Sequence, residues 1–182
     1  MWLLRLQEQH IQAMIDHAVA EAPHEICGIL AGNANTVSRV IPIANVSQEP
    51  MTHYDLSPVE TAQALAELER EGLSWMGVYH SHPQGAPRPS QTDIREATAH
   101  TPTLVHVIVS LKRPTAQLQA WHIHDGQVDP VEMVVGKQQI DIPAPLSRSQ
   151  GWAVIVATVI GVLTVLAVSF ALLPPAPPLP LP

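Results

Sequence analysis

The chain has 182 residues, with 9 Lys+Arg, 16 Asp+Glu and 10 His, and a formal net charge of -7 at pH 7. That length allows one domain with a core plus an appendage, and the acidic balance argues against a nucleic-acid partner. The single cysteine, Cys27, excludes an internal disulfide and fits a reducing compartment.

The first ten residues, MWLLRLQEQH, hold too short an apolar run for a secretory signal and read as the entry to an amphipathic helix. Leu4, Ile11, Met14, Ile15 and Ala18 recur at helical spacing, so a first helix is expected to end near Pro23. Cys27 to Ala31 predicts a short buried strand. Val37 to Val46 predicts a second, with Pro42 placing it at an edge or a bulge. Ser57-Pro58-Val59-Glu60 combines an N-cap, an N1 proline and an N3 glutamate, and starts a helix that Gly72 caps. Trp75 to Tyr79 predicts a strand and Ser90 to about Ala99 a third helix. Leu104 to Ser110, Leu118 to His124 and Val128 to Val135 predict strands, with a turn at Asp125-Gly126.

Residues 136–151, with Pro143 and Pro145, read as a linker that closes a domain spanning residues 1–135. Residues 152–173 run 22 positions without a charge. At 1.5 Å per residue that is roughly 33 Å, enough to cross a hydrocarbon layer of about 30 Å. The expectation is a single C-terminal transmembrane helix. Lys137 and Arg148 precede it and no charge follows, so the positive-inside tendency puts the N-terminal domain in the cytoplasm. The tail at 174–182 is too rich in proline to be helical.

The chemistry concentrates between Gly77 and Asp93. His80 and His82 stand two apart at the end of a strand, so both imidazoles share one face. Asp93 falls in the first turn of the next helix, and the Pro- and Gly-rich loop between could fold that turn back over them. Two imidazoles and a carboxylate suit Zn²⁺, and three protein ligands leave a position open, as in catalytic sites. Zinc lowers the pKa of bound water to about 7, and such a site still needs a general base.

His80-x-His82, seven residues beginning with Pro83, Ser90, two residues, Asp93 is similar throughout to the JAMM (MPN+) zinc metalloprotease motif. Glu25-Ile26-Cys27-Gly28-Ile29-Leu30 resembles the family's upstream glutamate segment. The resemblance covers roughly residues 8–135. It implies an α/β, three-layered, cytidine-deaminase-like (JAB/MPN) domain with a mixed β-sheet flanked by helices. It implies that His80, His82 and Asp93 bind zinc, that Glu25 is the general base and that Ser90 steadies the oxyanion. The implied reaction is hydrolysis of a peptide or isopeptide bond, often after the C-terminal Gly-Gly of a ubiquitin-like protein or a small sulfur carrier of the same fold. The long insertions that some family members use to grip a second ubiquitin are lacking here.

Several of these residues also have a plainer reading. Ser90-x-x-Asp93 is also a capping box, and a cap carboxylate can double as a ligand. Cys27 reads as a small buried residue. His122-x-His124 before Asp125 reads as a strand surface, and His53 and Tyr54 as lining for a substrate groove. A non-catalytic, membrane-tethered MPN-type scaffold is the alternative function, although such modules typically lose a ligand. Zinc deamination of nucleobases needs a Pro-Cys-x-x-Cys pair that one cysteine cannot supply.

Overall fold

A computed structural model describes residues 2–136; the expected linker beyond Gly136, transmembrane helix and proline-rich tail lie outside the described residues. Among the described residues no helix is long and apolar enough to cross a membrane.

Seven strands and three helices follow one another as β1 (Leu3–Gln7), α1 (Glu8–Glu21), β2 (Cys27–Asn33), β3 (Thr36–Ile43), α2 (Pro58–Glu71), β4 (Ser74–His82), α3 (Gln91–His100), β5 (Val105–Ser110), β6 (Gln117–His124) and β7 (Gln127–Gly136). The strands form one mixed sheet in the order β1-β3-β2-β4-β5-β6-β7, and parallel pairing of β1 with β7 closes it into a barrel. The closed sheet departs from the layered expectation only in its curl. Met14 and Ala18 of α1 bury with Leu30, Tyr79, Val107 and Val109 on one face. Ala64 and Leu68 of α2 bury with Ile29 and Ala31 on the other, because successive strand residues alternate.

The N-terminus corrects the expectation. Residues Leu3–Gln7 form a strand and not the entry to a helix. Leu4 and Leu6 are both buried while Arg5 between them is exposed, a period of two that serves a sheet face. Leu4 therefore belongs to β1, and helix spacing begins only after Gln7, which caps α1.

The other element predictions agree closely with the structure. Ser57 Oγ accepts from the Glu60 N–H, and Gly72 ends α2 in the left-handed region at φ 68°. The second strand stops at Ile43, short of Val46. Beyond one pairing at Thr36, β3 meets only β2, so Pro42 does sit where its missing N–H costs no ladder bond on the outer side. The irregularity in that hairpin falls between Ala31 and Gly32, away from Pro42.

Gly28 pairs with Tyr79 across β2 and β4. A Cβ there would stand 2.5 Å from the Ile41 carbonyl oxygen and collide with Cε1 and Cζ of the Tyr79 ring. Gly28→Ala should therefore overpack the sheet and cost about 1–3 kcal/mol. Urea unfolding of the two proteins checks this, and an unchanged midpoint would show that the sheet yields without cost.

Candidate metal centre

Strand β4 carries both histidines to one end of the sheet. Its register against β2 sets Cys27 opposite His80. The buried Ser81 between the imidazoles ties the two strands past that point: its Oγ accepts from Ile26 N at 3.0 Å, and its N–H donates to Ile26 O at 3.1 Å. Glu25, one residue upstream, is thereby held beside the histidines.

The loop after His82 is pinned at three successive carbonyls. Ser110 Oγ donates to Gly85 O, His82 Nδ1 to Ala86 O at 3.0 Å, and Trp121 Nε1 to Pro87 O at 2.9 Å. Gly85 lies against the His82 ring so closely that a Cβ would come within 3.3 Å of Nδ1. The loop delivers Ser90 as N-cap of α3. Ser90 Oγ accepts from Asp93 N at 3.1 Å, and Asp93 Oδ2 accepts from Ser90 N at 2.6 Å. The capping-box and ligand readings of Asp93 thus hold together, because the same Oδ2 lies 3.3 Å from His82 Nε2 and 3.7 Å from His80 Nε2.

The two Nε2 atoms are 3.2 Å apart. Three donors at 3.2, 3.3 and 3.7 Å form a triangle that a metal ion could cap. A tetrahedral zinc with bonds of about 2.0–2.1 Å separates its ligands by roughly 3.3–3.4 Å, so the donor set fits. The Ala86 carbonyl accepts a hydrogen bond from His82 Nδ1, and in the neutral ring this leaves the Nε2 lone pair facing the centre.

In the metal-free centre the buried groups shift one another's protonation. Burial alone would raise Asp93, but hydrogen bonds from His80 and His82 pull its carboxyl well below the ordinary range. Burial lowers His80 and keeps it neutral. The same burial would lower His82, yet its bonds to Asp93 and to the Ala86 carbonyl outweigh it and raise the imidazole. Glu25 is 7% exposed and its carboxylate has no hydrogen-bond or ion-pair partner among the described residues. Burial pushes it up to about 7, against the pull of His82.

Glu25, His82 and Ser90 line one cavity of about 330 Å³, together with Met51, Thr52, Pro83, Gln84 and Gly85. The structure therefore brings all five sequence-predicted residues together. It places Cys27 in the core, where burial raises its thiol to about 12, far from a metal-binding thiolate. His122 corrects a surface expectation: it is 5% exposed and stacks under Trp2 at 3.9 Å, while half-buried His124 reaches toward Asp129.

Sequence reasoning missed Asn45. Its Nδ2 donates to Glu25 O at 2.8 Å and His53 O at 3.0 Å, and its Oδ1 accepts from Ser47 N and Asp55 N, each at 3.0 Å. One amide thus fastens the 45–56 loop to the backbone of Glu25. An Asn in a loop with Pro and Ser nearby signals a turn, and its four partners are invisible without the fold.

The family described as prokaryotic homologs of the JAB domain matches residues 7–124. Over 89 residues the chain is 46% identical to a probable TtuB-protein conjugate cleaving protease of Thermus thermophilus, spanning 49% of this chain and 60% of that protein. It is 33% identical over 138 residues to the CysO-cysteine peptidase of Mycobacterium bovis, spanning 73% of this chain and 92% of that protein. The solution structure of a protein from Desulfitobacterium hafniense superposes with a TM-score of 0.69 at 30% identity, covering 77% of this chain and 97% of that one.

Glu25 has a stability signature. Its folded pKa lies above the ordinary carboxylate value, so between that value and about 7 the folded chain binds more protons than the unfolded chain. Its contribution is favourable below that window and is lost as pH rises through it. The metal-free Glu25→Gln variant should therefore lose less stability than the parent between pH 5 and pH 8. Urea midpoints at both pH values test this, and parallel losses would refute the unpaired buried carboxylate.

Proposed function

The chain belongs to the prokaryotic homologs of the JAB domain, and from that premise we propose a zinc-dependent metallopeptidase. It hydrolyses a peptide or isopeptide bond after the C-terminal Gly-Gly of a ubiquitin-like or sulfur-carrier-type protein. The observation that carries this reading is the His80, His82 and Asp93 triangle with Glu25 and Ser90 on the same cleft. The relatives named for TtuB-protein conjugates and for CysO-cysteine support the substrate class.

In this reading His80, His82 and Asp93 hold the ion. When bound, zinc supplies Lewis acidity and a water nucleophile that ionises near neutral pH. Glu25, whose carboxylate has no hydrogen-bond or ion-pair partner among the described residues, would take a proton from the attacking water and return it to the leaving amine. Ser90 Oγ already accepts from Asp93 N, so its own hydrogen is free to donate to the oxyanion. The pinned loop holds Ser90 in place before substrate arrives, which spares reorganisation during the reaction.

The uncharged run at residues 152–173 supports a single-pass anchor, with Lys137 and Arg148 favouring a cytoplasmic catalytic domain. On this reading the full chain sediments with membranes and needs detergent for release, and a version lacking residues 152–182 does not. Equal partition of both would remove the anchor.

The activity is tested on the full chain. About one zinc per chain is expected, and Asp93→Ala should lose it. Glu25→Gln should keep zinc and lose roughly 10²–10⁴ in kcat on a Gly-Gly isopeptide conjugate. Ser90→Ala should keep zinc and lose about 10²–10³, on the scale of one oxyanion donor. A chain that binds no zinc, or one whose hydrolysis survives Glu25→Gln, sinks the mechanism. Zinc without hydrolysis of any such conjugate would leave a scaffold.

A further inference from the structure

The two imidazoles of the metal centre are held in different ways. A ligating histidine almost always donates its second ring N–H to an acceptor, which fixes tautomer and ring plane. His82 does so, through Nδ1 to the Ala86 carbonyl. His80 is fully buried, and its Nδ1 has no hydrogen-bond partner among the described residues. Its Nε2 faces His82 and Asp93 on the metal side, so no hydrogen bond on the far side of the ring fixes its plane.

Tyr54 occupies the place where that restraint is needed. Its ring stacks on the His80 ring at 4.4 Å between centroids, with 22° between planes. The stack is itself rigidly placed, because Asn45 grips both neighbours of Tyr54: Nδ2 donates to His53 O and Oδ1 accepts from Asp55 N. Val46 N adds a bond to Asp55 O at 2.9 Å. Tyr54 and His53 also line a cavity of about 120 Å³ beside Asp93, in line with the groove expectation.

We infer that Tyr54 is a positioning residue for the metal, whose ring face fixes the plane of His80 in place of the missing hydrogen bond. The inference rests on the zinc reading above. The ring carries the effect, since the phenol makes no hydrogen bond to His80. A flat face opposes rotation of the imidazole, whereas an aliphatic side chain of similar size fills the space without defining a plane.

The test uses the full chain and its Tyr54→Phe, Tyr54→Leu and Tyr54→Trp variants, loaded with Zn²⁺ or Co²⁺ alone. Zinc affinity is read by competition with a chelator, and ligand geometry by the visible spectrum of the cobalt form. Circular dichroism checks the fold. Tyr54→Phe should match the parent within about twofold. Tyr54→Leu should bind zinc about 10–100-fold more weakly, the range for lost support around a ligand, with a cobalt spectrum that is weaker and shifted. Equal affinity and spectrum in Tyr54→Leu overturn the inference, and so does a loss in Tyr54→Phe, which would put the effect on the hydroxyl. If Tyr54→Leu does not fold, Tyr54→Trp decides: it keeps a stacking face, and loss of the cobalt spectrum refutes the role. A parent chain that binds no zinc overturns the metal reading and this inference together. A parent that binds zinc beside an unaffected Tyr54→Leu overturns this inference alone.

Discussion

One oxygen atom organises this molecule's chemistry. Asp93 Oδ2 accepts the Ser90 N–H that starts α3 and at the same time faces the Nε2 atoms of His80 and His82. The bond to Ser90 fixes the carboxylate from its own helix, so its place does not depend on the histidines. The histidines arrive independently on β4, whose register is set by β2 and β5. The donors meet because the loop joining strand to helix is short and pinned at three carbonyls. Removing the carboxylate would cost the helix a cap as well as the centre a charge, so metal loss and helix fraying are coupled there.

How much of this was legible from the sequence follows from the range of each signal. The β4 histidines, Ser90 and Asp93 lie within fourteen residues, and their spacing encodes a strand face followed by a capped helix turn. Such local patterns survive folding. The caps of α2 were legible for the same reason. Leu4 failed because an apolar residue at one position fits a period of 3.6 and a period of 2 equally well. Only pairing with β7, some 130 residues away, decides it. His122 failed similarly: its cover, Trp2, comes from the opposite end of the domain.

Glu25 and Tyr54 show a subtler limit. Neither is placed by its own neighbours in sequence. Glu25 follows a turn and precedes a strand, and Tyr54 sits in a loop without regular structure. Both are fixed by the side chain of Asn45, which bonds the Glu25 carbonyl and brackets Tyr54. A half-buried amide with four partners spends its polar capacity on backbone groups of the loop. Sequence patterns record such a residue as a turn former, and its reach across the fold leaves no periodic trace.

The same linkage bears on how the centre tolerates its own strain. Glu25 is a carboxylate buried without a partner, and burying a polar group without a partner costs stability. Its backbone nevertheless stays put, because Asn45 takes its carbonyl, Pro50 its N–H and Ser81 the next residue. The side chain is therefore left unpaired while the main chain around it is fully bonded. That division separates the two demands on a general base. Rigidity comes from the backbone network, and the raised pKa comes from burial, which no hydrogen bond to the carboxylate offsets. A hydrogen bond donated to that carboxylate would steady it further and at the same time lower its basicity.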